Sequence, residues 1–320
     1  ESGEPLAFAT IYVKGSTNGT NSNAEGLFQL NLDPGKYIIV FRYVGFNTLE
    51  KEVEIKESLW ENLNIQLKNS AIDLAEVVAR AGDNKGLEYM KKAIKLKNQY
   101  KKEPYEYQCL AYTKGTQKIT KMPKTFMGQD MKEAAKSLGL ESDNSGIIYL
   151  SETLAEIKFR YPNNYNERII KSKVSGDSKG VSFNRAQDLI MNPYEDFLLK
   201  GVKERGFVSP FHDNAPFYYD FELTQSFYEG SLLIHKIAIK PKRSIDPCFF
   251  GHVYLVDESW RIHSVSLNLD KRAEIEFVDS IRLKQSYAPL DDGSWVIVSN
   301  HLDFYVSIWG FELAGYFLSN

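Results

Sequence analysis

The run Ala273-Glu274-Ile275-Glu276-Phe277-Val278-Asp279-Ser280-Ile281-Arg282-Leu283-Lys284 sorts its side chains by parity. Ala273, Ile275, Phe277, Ile281 and Leu283 fall on one face; Glu274, Glu276, Ser280, Arg282 and Lys284 fall on the other. A period of two marks a strand with one dry face and one wet face. It is the fourth of five apolar runs, with Leu232–Ile239, Phe249–Val256, Ile262–Leu269 and Trp295–Ile308, all within Gly230–Ile308. Short turn-forming stretches separate them, among them Pro241–Pro247 and Asp291-Asp292-Gly293. Runs of this kind joined by short turns predict an antiparallel meander.

Working outward, the chain has 320 residues, enough for two cores. Hydrophobic residues make up 43% and charged residues 25%, as in ordinary folded proteins. The 13% aromatic share, with 19 Tyr and 19 Phe, leans towards β structure. A formal charge of −3 gives no pull towards nucleic acid, so no nucleic-acid partner is expected. Cys109 and Cys248 are compatible with one long-range disulfide or with two buried thiols. No apolar run is long enough to cross a membrane as a helix. Both ends read as cut. The aromatic alternation from Phe304 to Leu318 is either an ordinary closing strand or the first strand of a membrane barrel with an aromatic girdle.

Residues 1–68 carry strand candidates Phe8–Val13, Leu27–Leu32, Tyr37–Tyr43, Glu50–Ile55 and Leu63–Leu67. Turn-rich stretches lie between them, including Gly15–Gly19 and Asp33-Pro34-Gly35-Lys36, where Gly35 is expected at φ above zero. Short strands at this spacing predict a small β-sandwich. The series Pro5–Gly15, Asn23-Ala24-Glu25-Gly26-Leu27-Phe28, Pro34-Gly35-Lys36-Tyr37 and Tyr43-Val44-Gly45-Phe46 resembles the carboxypeptidase-regulatory-like domain, with Gly26 and Gly35 at tight turns. The resemblance implies a transthyretin/prealbumin-like sandwich without catalytic activity. Such a sandwich precedes many Bacteroidetes outer-membrane receptors. Residues 69–104 read as a connector. Within it, Ile72–Val78 resembles the short strand that follows this domain in such receptors, and Gly86–Lys102 forms a helix. That helix places Leu87, Met90, Ala93, Ile94 and Lys97 on one side. Its lysines, with Lys91, Lys92 and Lys95 as candidates for surface contact, are either a basic face for an anionic surface or a solvated face.

Residues 105–320 read as a larger antiparallel β domain, with strands at Tyr105–Thr113, Gln117–Thr120, Gly146–Leu150, Leu154–Phe159 and Phe217–Phe227 before the meander. Helical patterns appear at Phe126–Leu138 and at Asn184–Lys200, the latter broken by Pro193. Tyr149-Leu150-Ser151-Glu152, Lys171–Gly176, Val208-Ser209-Pro210, Tyr218-Tyr219-Asp220-Phe221, Ile239–Lys242 and Phe250–Asp257 recur in order. They resemble the middle region of an uncharacterised Bacteroidetes outer-membrane family. In that family a carboxypeptidase-regulatory-like domain, a periplasmic β-rich region and a C-terminal β-barrel follow one another. The resemblance implies the periplasmic face of the outer membrane, attachment through a barrel missing from this sequence, and no known activity. The hairpin Gly251–Ile262 adds a likeness of shape to the half-barrels that carry lipoproteins.

Chemistry-bearing clusters are few. Ser209, His212 and Asp213 supply the residue types of a hydrolytic triad, but neighbours in one turn rarely converge as a triad must, and local side-chain bonds are the better reading. His252 and His263 read as facing each other across a hairpin, and Asp303 shares a strand face with His301; a zinc site needs more converging ligands. No phosphate loop or calcium loop is present, and no cofactor or metal is expected. Asp279-Ser280-Ile281 fits a short O-glycosylation pattern but sits mid-strand. Phe217, Tyr218, Tyr219, Phe221, Phe227 and Tyr228 form a candidate groove for acyl chains or glycans, set against plain core packing. The expectation is therefore a mainly β, non-enzymatic protein that docks a protein partner or substrate beneath a barrel. The alternative is a carrier for an apolar, lipid-like ligand.

Overall fold

A computed structural model describes residues 3, 5–6, 9–16, 18–22, 26–43, 46–56, 63–68, 84–162, 164–176, 185–290 and 292–319. The strand expected at Ile72–Val78 and the motif residues Asn23, Ala24, Glu25, Val44 and Gly45 lie outside them. The chain divides into two units, one of Glu1–Asp83 with Gln225–His235 and one of Asn84–Thr224 with Lys236–Ser319.

In the first unit, β1 (Thr10–Val13), β2 (Gly19–Asn21), β3 (Gly35–Arg42) and β4 (Leu49–Ile55) make an antiparallel sheet of order β2-β1-β3-β4. Ile11, Val13, Ile39, Phe41 and Val53 form its dry face. Residues 26–32 and 63–68 alternate between half-buried and exposed as strands do, and Phe28, Leu30, Leu32, Leu63, Ile65 and Leu67 pack on that face. They make no ladder, so the expected strands there are extended segments held by packing. Gly26 has a φ of +75°, and Gly15 one of +74° in the β1–β2 turn. Gly35, expected at positive φ, is not among the positive-φ residues and instead opens β3.

The second unit begins with α1 (Lys85–Tyr100), capped by Asn84, whose Oδ1 accepts from the Leu87 amide at 2.9 Å. The helix assigned by sequence to a connector thus belongs to the large unit, because its apolar face enters that unit's core. Then follow β5 (Glu106–Lys121), the small hairpin β6 (Thr125–Phe126) and β7 (Gln129–Asp130), α2 (Lys132–Ser137), β8 (Gly146–Arg160) and β9 (Asn164–Gly176). A 3-10 turn at Ala186–Leu189, β10 (Phe197–Leu198), β11 (Phe207–Val208) and α3 (Ala215–Tyr218) lead into β12 (Tyr219–Glu229) and β13 (Leu232–Pro241). The chain continues with β14 (Phe250–Val256), β15 (Ile262–Asp270), β16 (Val278–Pro289), β17 (Trp295–Ile308) and β18 (Phe311–Ser319).

Ten strands form one antiparallel sheet of order β12-β13-β14-β15-β16-β17-β18-β5-β8-β9, and the expected meander is its run β13 to β17. The aromatic segment 311–319 is paired on both sides, to β17 and to β5, and so lies inside this sheet. Five expectations change, two of them in the middle of the chain: the strands expected at Gly146–Leu150 and Leu154–Phe159 are one, β8, and the helix expected over Phe126–Leu138 shortens to α2 behind the β6–β7 hairpin. Residues 273–277 do not extend β16: Ala273 ends a 3-10 turn and Glu274 and Phe277 take φ of +50° and +63°, so the alternation there is not a strand. The helix expected over 184–200 reduces to the turn at Ala186–Leu189, since Pro193 and the packing of Tyr194 and Leu198 into the core favour an irregular loop. The two strands expected in 105–120 are one, β5, running through Gly115.

The core beneath β12–β16 is filled by Met90, Ala93 and Tyr100 of α1, by Tyr194 and Phe211 of the loops before α3, by Phe207 of β11, and by strand residues such as Tyr219, Ile237, Val253, Leu267 and Leu283. Farther along the same face, Leu283, Leu302, Phe317, Gly115 and Ser151 sit opposite one another in successive strands. A side chain at Gly115 would come within 2.6 Å of the Phe317 ring, and one at Gly315 within 2.3 Å of the Phe304 ring. The two glycines make room for two rings that stack at 5.9 Å.

Candidate functional site

Helix α1 meets the sheet through a residue without a side chain. A Cβ at Gly86 would stand 2.7 Å from the Leu223 amide nitrogen and 2.8 Å from the Phe221 carbonyl oxygen. At its other end, Lys97 is 4% exposed, and its ammonium lies 2.6 Å from Asp196 Oδ1 and 2.7 Å from Asp213 Oδ1. Burial pushes the Lys97 ammonium towards losing its proton, but the two carboxylate hydrogen bonds more than offset this, and its pKa is raised. The same bond holds Asp196 below the usual carboxylate range, against its partial burial. Nearby, Arg261 pairs with Glu103 and covers the Tyr100 ring at 4.2 Å, and Tyr194 Oη accepts from the Ile262 amide at 2.9 Å. Sequence placed Lys97 on the apolar side of the helix; its two acidic partners come from loops that carry no signal for the pairing.

Among the candidate contact lysines, Lys91 and Lys95 face solvent. Lys92 is engaged, 2.8 Å from Glu88 Oε1 and 4.5 Å above the Trp260 ring, which in turn packs on Tyr89 at 4.8 Å. The candidate aromatic groove does not assemble. Tyr219, Phe221 and Phe227 are buried at 1–2% exposure, whereas Phe217 is 64% and Tyr228 44% exposed. Alternation along β12 sends neighbouring rings to opposite faces, and Phe217 and Tyr218 sit on the preceding helical turn. Tyr219 serves the core: its hydroxyl donates to the Val208 carbonyl and accepts from the Phe249 amide at 3.1 Å.

The Ser-His-Asp cluster is bound up locally. Ser209 Oγ donates to the Pro193 carbonyl and accepts from the Phe211 amide, His212 Nδ1 accepts from the Asn214 amide, and Asp213 is taken by Lys97. His252 pairs with Ser266, not with His263, because the ladder register from Phe250 to Tyr254 sets His252 three residues away from His263's position. His301 Nε2 and Asp303 Oδ1 lie 2.8 Å apart, on the shared face that the sequence indicates. Among the described residues no group of His, Cys, Asp and Glu is arranged to hold a metal. Cys109 and Cys248 are free thiols, and burial pushes the Cys248 thiol up to about 11. Ser280 is a ladder residue between Asp270 and Tyr305, inside the sheet.

The feature with most reach is β9, which the sequence reading passed over. It pairs with β8 from Asn164 to Gly176 and stands last in the sheet order, so no strand among the described residues lies beyond it. Its 13 residues span about 40 Å and are almost all exposed, with Ile169, Ile170 and Val174 among the exposed apolar side chains. An edge of that length offers a row of backbone donors and acceptors. Arg168, anchored to Glu156 at 2.7 Å, and Lys171 and Lys173 give it a basic rim. In the first unit, a cleft of about 280 Å³ is lined by Val13, Asn18, Asn31, Leu32, Asp33 and Tyr37, among others.

Residues 89–320 match the family described as "Family of unknown function (DUF5686)". The chain belongs to this family. Ahead of the DUF5686 region, residues 1–79 match the CarboxypepD_reg-like domain. A TonB-dependent receptor P39 of Formosa agariphila is 30% identical over 78 residues, which are 24% of this chain and 7% of that receptor. The chain thus corresponds to a small fraction of the receptor's length. Solved structures with some likeness include a DUF1329 family protein from Desulfovibrio piger (12% identity, TM-score 0.26, 73% of this chain and 92% of that one). Another is a LolA superfamily protein from Nitrosomonas europaea (7% identity, TM-score 0.25, 73% and 91%). Scores of this size do not establish a shared fold.

Proposed function

We propose that this DUF5686 chain is a non-enzymatic, periplasm-facing portion of a Bacteroidetes outer-membrane protein. In this reading it docks a partner or substrate protein beneath a β-barrel. The observation that carries docking is β9. A long, exposed, single-sided edge with a basic rim suits capture of an extended segment by strand addition, where backbone bonds supply affinity and side-chain pockets supply choice. The outer-membrane setting is supported by the regulatory-like domain at residues 1–79 and by its likeness to part of a TonB-dependent receptor.

A tag placed within these residues in the full-length protein tests the location. It should resist added protease in intact cells and become cleavable once the outer membrane is permeabilised. A tag that stays protected until the inner membrane is lysed overturns the reading. The carrier alternative, with a lipid acyl chain as ligand, meets a filled core beneath β12–β16, so it requires α1 to move. Native mass spectrometry of the gently purified chain should give the bare mass. A lipid-sized adduct that vanishes on denaturation replaces docking with carriage.

A further inference from the structure

Two of the tight hairpins in the large unit are built against their own turn chemistry. Between β6 and β7, Phe126 pairs with Gln129 and the turn residues Met127 and Gly128 take φ of +50° and +81°. Between β17 and β18, Ile308 pairs with Phe311 and Trp309 and Gly310 take φ of +50° and +89°. Two central residues at positive φ are the signature of the type I′ turn, whose first position ordinarily goes to Asn, Asp or Gly. Here it is given to a methionine and a tryptophan, side chains that pay a steric penalty in the left-handed region. Phe277, in the turn before β16, repeats the pattern at φ +63°. All three point to solvent: Met127 is 84%, Trp309 69% and Phe277 42% exposed.

They are also gathered at one end of the sheet. Phe126, the neighbour of Met127, stacks on Trp309 at 6.2 Å, and Phe277 meets Trp309 edge-on at 6.0 Å. Turn preference does not account for three large apolar residues at strained, exposed turn tips, and strain kept at such positions points to a use. Just behind the tips the charges are of both signs: Lys121 with Glu312 at 2.9 Å, Lys271 with Asp279 at 3.1 Å and Arg272 with Asp270 at 2.7 Å, beside exposed Lys124, Glu274 and Glu276. The collar is therefore mixed in sign and complements zwitterionic headgroups better than an anionic polymer. The tips themselves are convex turn apices, not a groove that would seat a peptide.

We infer that Met127, Phe277 and Trp309 form a membrane-contact tip that enters the headgroup and acyl boundary of a zwitterionic bilayer. Tryptophan and phenylalanine favour that boundary, and the mixed-sign collar stays at the headgroup level. The inference stands on the turns alone and does not rest on the docking reading. The test is flotation of the purified chain with vesicles of phosphatidylcholine and phosphatidylethanolamine, compared with the Met127→Asn/Trp309→Asn double variant. Asparagine is a preferred type I′ residue, so the variant should fold with an unchanged or higher Tm. Yet its vesicle partition should fall at least about tenfold, because two buried apolar side chains are lost. The wild-type chain should still float at high salt, since apolar burial drives the contact. Failure of the wild type to float, or equal flotation of a folded variant, overturns the inference. So does a variant whose only change is its oligomeric state by light scattering, which assigns the tip to self-association.

Discussion

At Gly86 the usual rule of helix propensity should reverse. Alanine in a helix interior ordinarily stabilises by roughly 1 kcal/mol over glycine. Here the new methyl group would press on the backbone of residues 221–223, which cannot swing aside as a side chain would. Gly86→Ala should therefore destabilise the chain by about 1–3 kcal/mol, read from urea unfolding; a gain in stability would mean that α1 does not rest on β12. Lys97 supports a second expectation. Lys97→Met should lie within about 1 kcal/mol of wild type, because an apolar chain can replace a buried pair. The Asp196→Asn/Asp213→Asn double variant should be the worse of the two, since it leaves a buried ammonium without a carboxylate. Asp196 has a lowered pKa, so its contribution is full above about pH 4, the unfolded value, and fades as pH falls through the lower folded value. The Tm gap between the wild type and the Asp196→Asn/Asp213→Asn variant should therefore be flat around neutrality and close only under strongly acidic conditions. Lys97 itself was legible as a charge in an apolar register. Its partners were not, because Asp196 lies 99 positions away along the chain and nothing local marks it.

Among the elements, the meander was legible because each strand alternates and each connection is short. β9 was missed for a physical reason: as an edge strand it has almost no buried side chains, so its sequence shows no dry face to detect. The opposite error occurred at 184–200, where apolar residues at helical spacing serve instead as separate plugs of the core. The junction of β18, β5 and β17 rests on two glycines that sequence left unexplained. Gly115→Ala should destabilise by about 1–3 kcal/mol through collision with Phe317, and Gly115→Ala combined with Phe317→Leu should recover part of that loss. A double-mutant cycle by chemical denaturation measures the coupling; additive effects would show that the ring and the glycine are independent.

For the whole molecule, the division into a small sandwich unit and a large sheet unit has a thermodynamic consequence. A small unit buries a smaller fraction of its surface than a large one and is less stable for its size. Calorimetry should give a calorimetric enthalpy above the van't Hoff value, with the first unit melting in the earlier phase. A single two-state transition would show instead that the units unfold as one.

By itself, the amino-acid sequence determined the class of the protein. Alternation, turn residues and glycine-bearing motifs are short-range patterns, and they sufficed for a mainly β chain, the meander, and the regulatory-like domain at the N-terminus. Only the tertiary structure decided that α1 belongs to the large core, that β18 returns to β5, and that β9 stands last among the described strands of the sheet. It also decided that Tyr219 and Phe221 are core residues while Phe126, Phe277 and Trp309 meet at one surface. Those outcomes depend on which distant segments share a face or a backbone bond, and no local pattern carries that information.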